Sequence, residues 1–355
     1  MSIDLLGLPF PQLRTFLDEI GVGEHHAGRV FRGLHHHDQA LSDIDDLGRH
    51  AARIAASSHI ASAVVREVHA NPDGTQKLVV ELVDGKRVEA VLVPMRDDRW
   101  TLCVSSQVGC AMACTFCATG TLGLARSLTA GEIVAQVMAA VRQSKTTKRR
   151  ISRLVFMGMG EPLHNYEAVR DAIFVLLDDH GQSFGSKHIT VSTVGLIKRL
   201  AQLAEDTKGR IQLAISLHAG TDETRRQIVP TGRTVTIKQL KDAVHAWPLP
   251  GSRAVMVEVV VLPGVNDGPA DLDGIADFMV GLRGVVNLIP FNPFPGSPFT
   301  PPQPDQVLTM QRRLQDRGVR CNVRWPRGRE VSGACGQLML AHATPSSDGA
   351  TAARE

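Results

Sequence analysis

Cys110-Ala-Met-Ala-Cys114-Thr-Phe-Cys117 spaces three thiols as C-x3-C-x2-C, a pattern that can hold a four-iron, four-sulfide cluster while leaving one iron without a protein ligand. That open iron is a coordination position for a small molecule. Electron-transfer clusters and structural zinc sites use four protein ligands instead, so the competing reading is a zinc knuckle with Cys103 as fourth ligand.

A chain of 355 residues, 43% of them hydrophobic, must position these thiols, and it can bury one large core with an appendage. The net charge of +3, from 39 Lys and Arg against 36 Asp and Glu, confines any nucleic-acid surface to a local patch. Six cysteines with three clustered do not resemble a secreted disulfide framework, and no basic then apolar leader opens the chain. No apolar run approaches the ~20 residues of a membrane span. These features predict a cytoplasmic protein with no membrane partner.

Residues 1–62 read as a small helical accessory domain that binds RNA. Leu13, Phe16, Leu17 and Ile20 recur at helical spacing, and Leu41, Ile44, Leu47, Ala51 and Ile54 predict a later helix. Between them Val30, Phe31 and Leu34 lie among basic and imidazole side chains. His35, His36 and His37 are consecutive, so on a helix they point apart and read as surface residues, not metal ligands. Residues 63–95 read as a β-hairpin extension turning at Asp84-Gly85.

Residues 96–343 alternate strands with helices. Strands are predicted at 101–106, 154–159, 188–193, 212–217, 255–262 and 285–290, with helices at 130–142, 166–177, 196–204, 237–246 and 270–282. A helix near 305–317 and a strand at 319–323 follow. Six βα units imply an α/β fold, a (β/α)6 partial TIM-type barrel with parallel strands. Residues 344–355 read as a disordered tail. Where each strand should end, polar residues or glycine take over: Ser105-Ser106, Gly158-Met-Gly-Glu161, Ser192-Thr193, Ser216-Leu-His218, Asn266-Asp267 and Asn292. In (β/α) barrels the active site lies at that mouth, and the cysteine triplet follows the first strand.

The triplet resembles the signature of radical S-adenosylmethionine (SAM) enzymes. Nearly the whole chain resembles the radical-SAM RNA adenine methyltransferases, which comprise the dual-specificity rRNA and tRNA adenine C2-methyltransferases and the related adenine C8-methyltransferases. The supporting strings are Thr101-Leu-Cys103-Val-Ser-Ser-Gln-Val-Gly-Cys110, Cys114-Thr-Phe-Cys117-Ala-Thr-Gly, Met157-Gly-Met-Gly-Glu161-Pro-Leu, Ser216-Leu-His218-Ala, Ile289-Pro-Phe-Asn292-Pro-Phe-Pro-Gly and Gly333-Ala-Cys335-Gly-Gln-Leu.

The resemblance implies one [4Fe–4S] cluster on Cys110, Cys114 and Cys117, with SAM on the unique iron as both methyl donor and radical source. It implies that Cys335 carries the methyl group as S-methylcysteine, that Cys103 resolves the RNA adduct through a transient disulfide with Cys335, and that Glu89 accepts a proton. It carries SAM contacts to Gly160, Glu161, Ser192, Ser216, Leu217, His218 and Asn292. The implied partners are 23S rRNA, tRNA and an external electron donor, and the chain reads as a monomer. Read from sequence alone, Glu89 is a solvent-facing charge on a hairpin strand and Cys103 a small buried hydrophobe.

Two basic stretches are candidate RNA contacts, Lys145-Thr-Thr-Lys148-Arg149-Arg150 and Arg324-Trp-Pro-Arg327-Gly-Arg329, because arginine beside an aromatic suits phosphate contact and base stacking. The string Gly123-Leu-Ala-Arg126-Ser-Leu128 departs from the aromatic-containing one common among C2 enzymes, which leaves carbon 8 open as the target. More distant alternatives are a peptide-modifying radical-SAM enzyme and a metal-stabilised RNA-binding protein.

Overall fold

The computed structural model describes residues 2–147 and 149–339, so the tail expected at 344–355 lies outside the described residues. Two strands of two residues each, β1 (Ile3–Asp4) and β2 (Ser58–His59), tie the ends of the N-terminal region together. The main sheet comprises β3 (Ala63–Ala70), β4 (Gln76–Leu82), β5 (Arg87–Pro94), β6 (Arg99–Cys103), β9 (Arg150–Phe156), β10 (Ile189–Thr193), β11 (Gln212–Ser216), β12 (Val255–Val261), β13 (Gly284–Pro290) and β14 (Cys321–Val323). A separate ribbon pairs β7 (Gln107–Gly109) with β8 (Leu124–Ser127).

The helices are α1 (Phe10–Glu19), α2 (Ala27–His35), α3 (Arg49–Ser57), α4 (Ala118–Thr121), α5 (Ala130–Lys145), α6 (Tyr166–Leu177), α7 (Ile197–Thr207), α8 (Asp222–Ile228), α9 (Ile237–His245), α10 (Pro269–Met279) and α11 (Pro304–Asp316). No helix among the described residues is long and apolar enough to cross a membrane.

The ten strands order as β14-β13-β12-β11-β10-β9-β6-β5-β4-β3. From β6 to β14 every pairing is parallel, as alternating strands and helices require. The expected partial barrel is therefore present as an open sheet with two edges. Where a hairpin was expected, β3, β4 and β5 form an antiparallel three-stranded meander that continues the sheet from β6. The extra strand, Ala-Val-Val-Arg-Glu-Val-His-Ala, is an exposed edge strand, and its charged residues hid it from an apolar-pattern reading.

The predicted helix through Leu41, Ile44 and Leu47 is also different. These side chains are buried, but on a single turn and an extended stretch, because Asp46 and Gly48 take positive φ (60° and 49°) before α3 begins. His35 is buried, not on the surface: it packs on Phe31 with ring centroids 4.1 Å apart, and burial lowers its pKa to about 3. The apolar sides of α1 to α3 are continuous with the barrel's own core.

The open side of the sheet is crossed by a strap, residues 324–339. Arg324 N–H donates to Leu288 O at 2.8 Å beside one edge, while Arg327 Nη1 reaches Pro94 O at 2.8 Å and Gly328 N–H reaches Asp73 Oδ2 at 2.9 Å near the other. Burial opposes the charge on Asp73, but hydrogen bonds from Asn71, Thr75 and Gly328 outweigh it and hold the carboxyl at about 2. Because this pKa is depressed, the fastening is complete above the ordinary carboxylate range and is lost as pH falls toward about 2. Asp73→Asn should raise hydrogen exchange at the Gly328 amide at neutral pH, and wild-type protection there should decay between pH ~4 and ~2, the span between ordinary and depressed values.

Candidate active site

The β7–β8 ribbon delivers the first thiol. Cys110 N–H donates to Gly123 O at 2.8 Å, so the string Gly123–Leu128 that departs from the family pattern is the strand that pins the cysteine loop. Arg126 braces it, reaching Asp84 at 2.9 Å and Glu132 at 2.7 Å. The loop then turns back through Ala113 at φ 52°, and Thr115 N–H donates to Ile228 O at 3.1 Å. Gly120 lies so close to the Cys114 backbone that a Cβ would stand 2.8 Å from its carbonyl oxygen.

Burial raises the pKa of all three thiols, to about 12 for Cys110; charges on Cys117, Cys110 and Glu161 raise Cys114 further. Three thiols thus face one low-dielectric space closely enough to oppose one another's ionisation, the setting in which iron would supply the missing positive charge. No three His, Cys, Asp or Glu side chains among the described residues converge as a single-ion site would require. A four-iron cluster takes each thiolate on a different iron, and the donor set fits it.

Strand ends from β9 to β13 surround this loop. Gly158 and Gly160 let the end of β9 pass against β6 and β7: a Cβ on Gly158 would lie 2.6 Å from Val104 O, and one on Gly160, at φ 99°, 2.5 Å from the Gln107 side chain. Glu161 is buried, and its two carboxylate oxygens accept from Leu163 N–H and Val194 N–H, each at 3.0 Å. Burial raises its pKa, and its charge bears on Cys110 and Cys114.

Ser192 and Ser216 end adjacent strands with hydroxyls 3.4 Å apart, both half-buried. Leu217 is buried and its carbonyl accepts from Arg225 Nε at 3.2 Å. His218 takes positive φ (61°), packs on Phe116 with centroids 4.5 Å apart, and accepts Val260 N–H on Nδ1 at 3.1 Å. Burial first and Arg225 second lower its pKa to about 3, so it is neutral with its proton on Nε2. Asn292 Nδ2 donates to Cys335 O at 3.1 Å, and its Oδ1 accepts from Arg329 at 3.0 Å. Ser105 and Asn266, also read as mouth residues, bind backbone: Ser105 joins Glu89 O and Met159 N–H, and Asn266 joins His218 O, Val260 O and Leu262 N–H.

The strap ties to the cysteine loop through Ala118 N–H to Gly336 O (2.7 Å) and Thr119 Oγ1 to Leu338 O (2.6 Å). Cys335 is an exposed residue, but desolvation of its thiol and then the Glu258 charge raise its pKa. Cys103 is half-buried at the end of β6, and burial followed by the charge on Cys335 raises its pKa. All six cysteines are free thiols here.

Glu89 is not solvent-facing. It is 1% exposed, Lys77 Nζ sits 2.9 Å from its Oε1, and Oε2 has no hydrogen-bond partner. Burial raises its pKa, with Lys77 opposing. Val91 pairs with both Cys103 and Lys77, so Glu89, two residues before it, shares their face of the sheet.

Three further residues were not singled out in the sequence. Lys77 reads as a surface lysine of a hairpin. Arg225 is wholly buried and donates to Leu217 O, Val194 O (2.7 Å) and Val235 O (3.4 Å), yet no carboxylate among the described residues lies within 4.0 Å of it. Glu258 stands on β12 beside Asn287 at 2.9 Å; a lone acid within Val255-Met-Val-Glu-Val-Val-Val was the available signal.

A profile of the Radical SAM superfamily matches residues 104–279. The chain is 39% identical over 339 residues to a Magnetococcus marinus protein named dual-specificity RNA methyltransferase RlmN, covering 95% of this chain and 94% of that one. A protein of the same name from Syntrophobacter fumaroxidans is 40% identical, with 93% and 96% covered. The crystal structure of a radical SAM methyltransferase from Sphaerobacter thermophilus superposes with a TM-score of 0.86 at 37% identity, covering 95% of this chain and 99% of that one. With the cysteine loop, strand ends and thiol-bearing strap all in one recess, the chain belongs to the radical SAM RNA methyltransferases of the RlmN family.

Proposed function

We propose that this chain methylates carbon 2 of an adenine in 23S rRNA and in tRNA, in the cytoplasm and as a monomer, through an S-methyl group on Cys335. It is an enzyme of the radical SAM type, and its family implies SAM and a [4Fe–4S] cluster. The observation that carries the reading is the coupling of two loops: the strap that bears Cys335 is hydrogen-bonded to the loop that bears the cluster thiols, with Cys103 nearby.

Carbon 2 of adenine is an electron-poor amidine carbon, so direct attack on a methyl sulfonium is closed to it and a radical route is required. Cys110, Cys114 and Cys117 would hold the cluster, which when bound supplies the electron that cleaves SAM to a 5′-deoxyadenosyl radical. Gly160, Glu161, Ser192, Ser216, Leu217, His218 and Asn292 would hold SAM: paired hydroxyls suit a ribose, and the Glu161 carboxylate suits the methionine ammonium. Cys335 takes a methyl group from one SAM and loses a hydrogen atom from it to the radical of a second. The sulfur-bound methylene radical adds to the ring carbon, the adduct gives up one electron, which balances the one spent on cleaving SAM, and Glu89 takes the ring proton. Cys103 attacks the Cys335 sulfur, the S–CH2 bond breaks with its electron pair left on carbon, that carbon takes up a proton to become the methyl group, and an external reductant reopens the resulting disulfide.

RNA would meet the strap. Trp325 is 49% exposed between Arg324 and Arg327, a surface for stacking an unpaired base. The other basic stretch is partly engaged, with Arg149 stacked over Trp100 at 5.1 Å; Lys148 lies outside the described residues.

The test is mass spectrometry of 23S rRNA and tRNA nucleosides from cells lacking their own adenine C2-methyltransferase and expressing this chain. 2-Methyladenosine is expected. 8-Methyladenosine would transfer the mechanism to the other carbon, and neither product would overturn the assignment. Cys103→Ala should accumulate a covalent protein–RNA adduct, visible by mass or gel shift; free protein at undiminished turnover would refute its resolving role.

A further inference from the structure

The proposed chemistry begins with a proton transfer that neither the SAM-binding residues nor Glu89 or Cys103 assists. Before Cys335 can carry a methyl group its thiol must lose a proton, and burial disfavours that loss. The groups whose charges bear on this thiol are Glu258, Arg324 and Cys117, and its own charge bears on Cys103 at the end of β6. Cys117 belongs to the cluster loop, and Cys103 is itself a buried thiol. Glu89 is paired to Lys77 at 2.9 Å.

Glu258 differs from all of them. Its side chain is 4% exposed, its nearest cation, Arg324 Nη2, stands 3.9 Å from Oε1, and Asn287 Nδ2 donates to Oε1 at 2.9 Å. Oε2 is buried with no hydrogen-bond partner. A carboxylate oxygen in that state is costly unless the site uses it. The sheet register aims it: Ser216 pairs with Glu258, which pairs with Asn287, so this carboxylate lies in the same row as a hydroxyl assigned to SAM. The strap reaches this row through Arg324, 3.9 Å from Glu258, and Asn292 holds it at the Cys335 carbonyl.

We propose that Glu258 is the general base for the self-methylation of Cys335, an inference that rests on the S-methylcysteine reading above. Oε2 accepts the Sγ proton as sulfur attacks the SAM methyl carbon. The S–H bond breaks, the S–CH3 bond forms and the bond from methyl to sulfonium breaks. S-Adenosylhomocysteine leaves as a neutral thioether, and the positive charge lost by the sulfonium is matched by the negative charge lost by the carboxylate. The product pair, a thioether beside an uncharged carboxylic acid, suits a buried site better than the thiol and carboxylate it replaces.

The experiment follows the methyl group on Cys335 by peptide mass spectrometry, in full-length protein carrying its cluster and supplied with labelled SAM in a single turnover. Glu258→Gln keeps the acceptor for Asn287 and should slow Cys335 methylation by about 100-fold or more, the usual scale for a lost general base. Its residual rate should climb with pH where the wild type levels off, because the thiol must then ionise unaided. Glu258→Asp should restore part of the rate. Iron content and SAM affinity should match the wild type in both. Wild-type methylation rates in Glu258→Gln, or loss of iron and SAM binding alongside the rate, would overturn the proposal. A wild-type protein whose Cys335 never carries a methyl group would defeat the underlying reading first.

Discussion

On the proposed mechanism Cys335→Ala should abolish RNA methylation, by more than about 10⁴-fold, the effect expected for loss of a group that bonds covalently to the substrate. The folded state should hardly notice, since Cys335 is exposed and its strap is fastened by backbone groups of Gly328, Gly336 and Leu338 that the change leaves alone. Stability should therefore stay within about 0.5 kcal/mol of the wild type. Cluster assembly should be intact as well. The measurement is 2-methyladenosine formed per turnover of SAM cleavage. Loss of RNA product with SAM cleavage still detectable places the defect at methyl transfer, whereas retained product would mean that the methyl group reaches RNA without this thiol.

Gly109→Ala should be the most damaging small change in the cysteine loop. Gly109 sits at φ 80°, and a Cβ there would overlap the Gly123 carbonyl oxygen, the same oxygen that accepts the Cys110 N–H. Relief requires the β7–β8 ribbon to part, which moves the first thiol. Left-handed backbone costs a non-glycine residue about 1–2 kcal/mol and the clash adds to it, so a loss of about 3 kcal/mol or more is expected. Iron bound per chain after reconstitution should fall with it. Gly123→Ala is the control: φ is 68° but nothing lies within 4 Å of the added carbon, so only the backbone cost remains. Equal iron binding in both variants would show that the ribbon does not position Cys110.

The parallel strands were legible because buried strands read as apolar runs and the turns between them carry glycine and polar residues. Val255–Val261 and Gly284–Pro290 are cases in point. The thiol triplet was legible because its spacing is local. What failed did so where burial is decided by distant partners. Glu89 reads as a surface charge until β4 pairs with it through Val79, and Lys77 gives no sign that it reaches this carboxylate from the diagonal position opposite Val91. Arg225, within Asp222-Glu-Thr-Arg-Arg-Gln, looks like part of a solvated helix, and only its three carbonyl partners reveal a buried cation. The exposed edge strand β3 was missed for the converse reason, that Arg66, Glu67 and His69 interrupt its apolar run.

The strap has one consequence for how a single sulfur can serve several partners in turn. A thiol within a strand could travel only by slipping register, and a slip of one residue would turn it to the opposite face. Cys335 hangs instead from a segment joined to its surroundings by separate hydrogen bonds at Gly328, Cys335, Gly336 and Leu338. These can be exchanged one at a time while the ladder of the sheet stays whole. A shift of this short length of chain would then leave the barrel's ladder untouched. A sulfur burdened with a nucleotide could withdraw with that segment without any strand having to part.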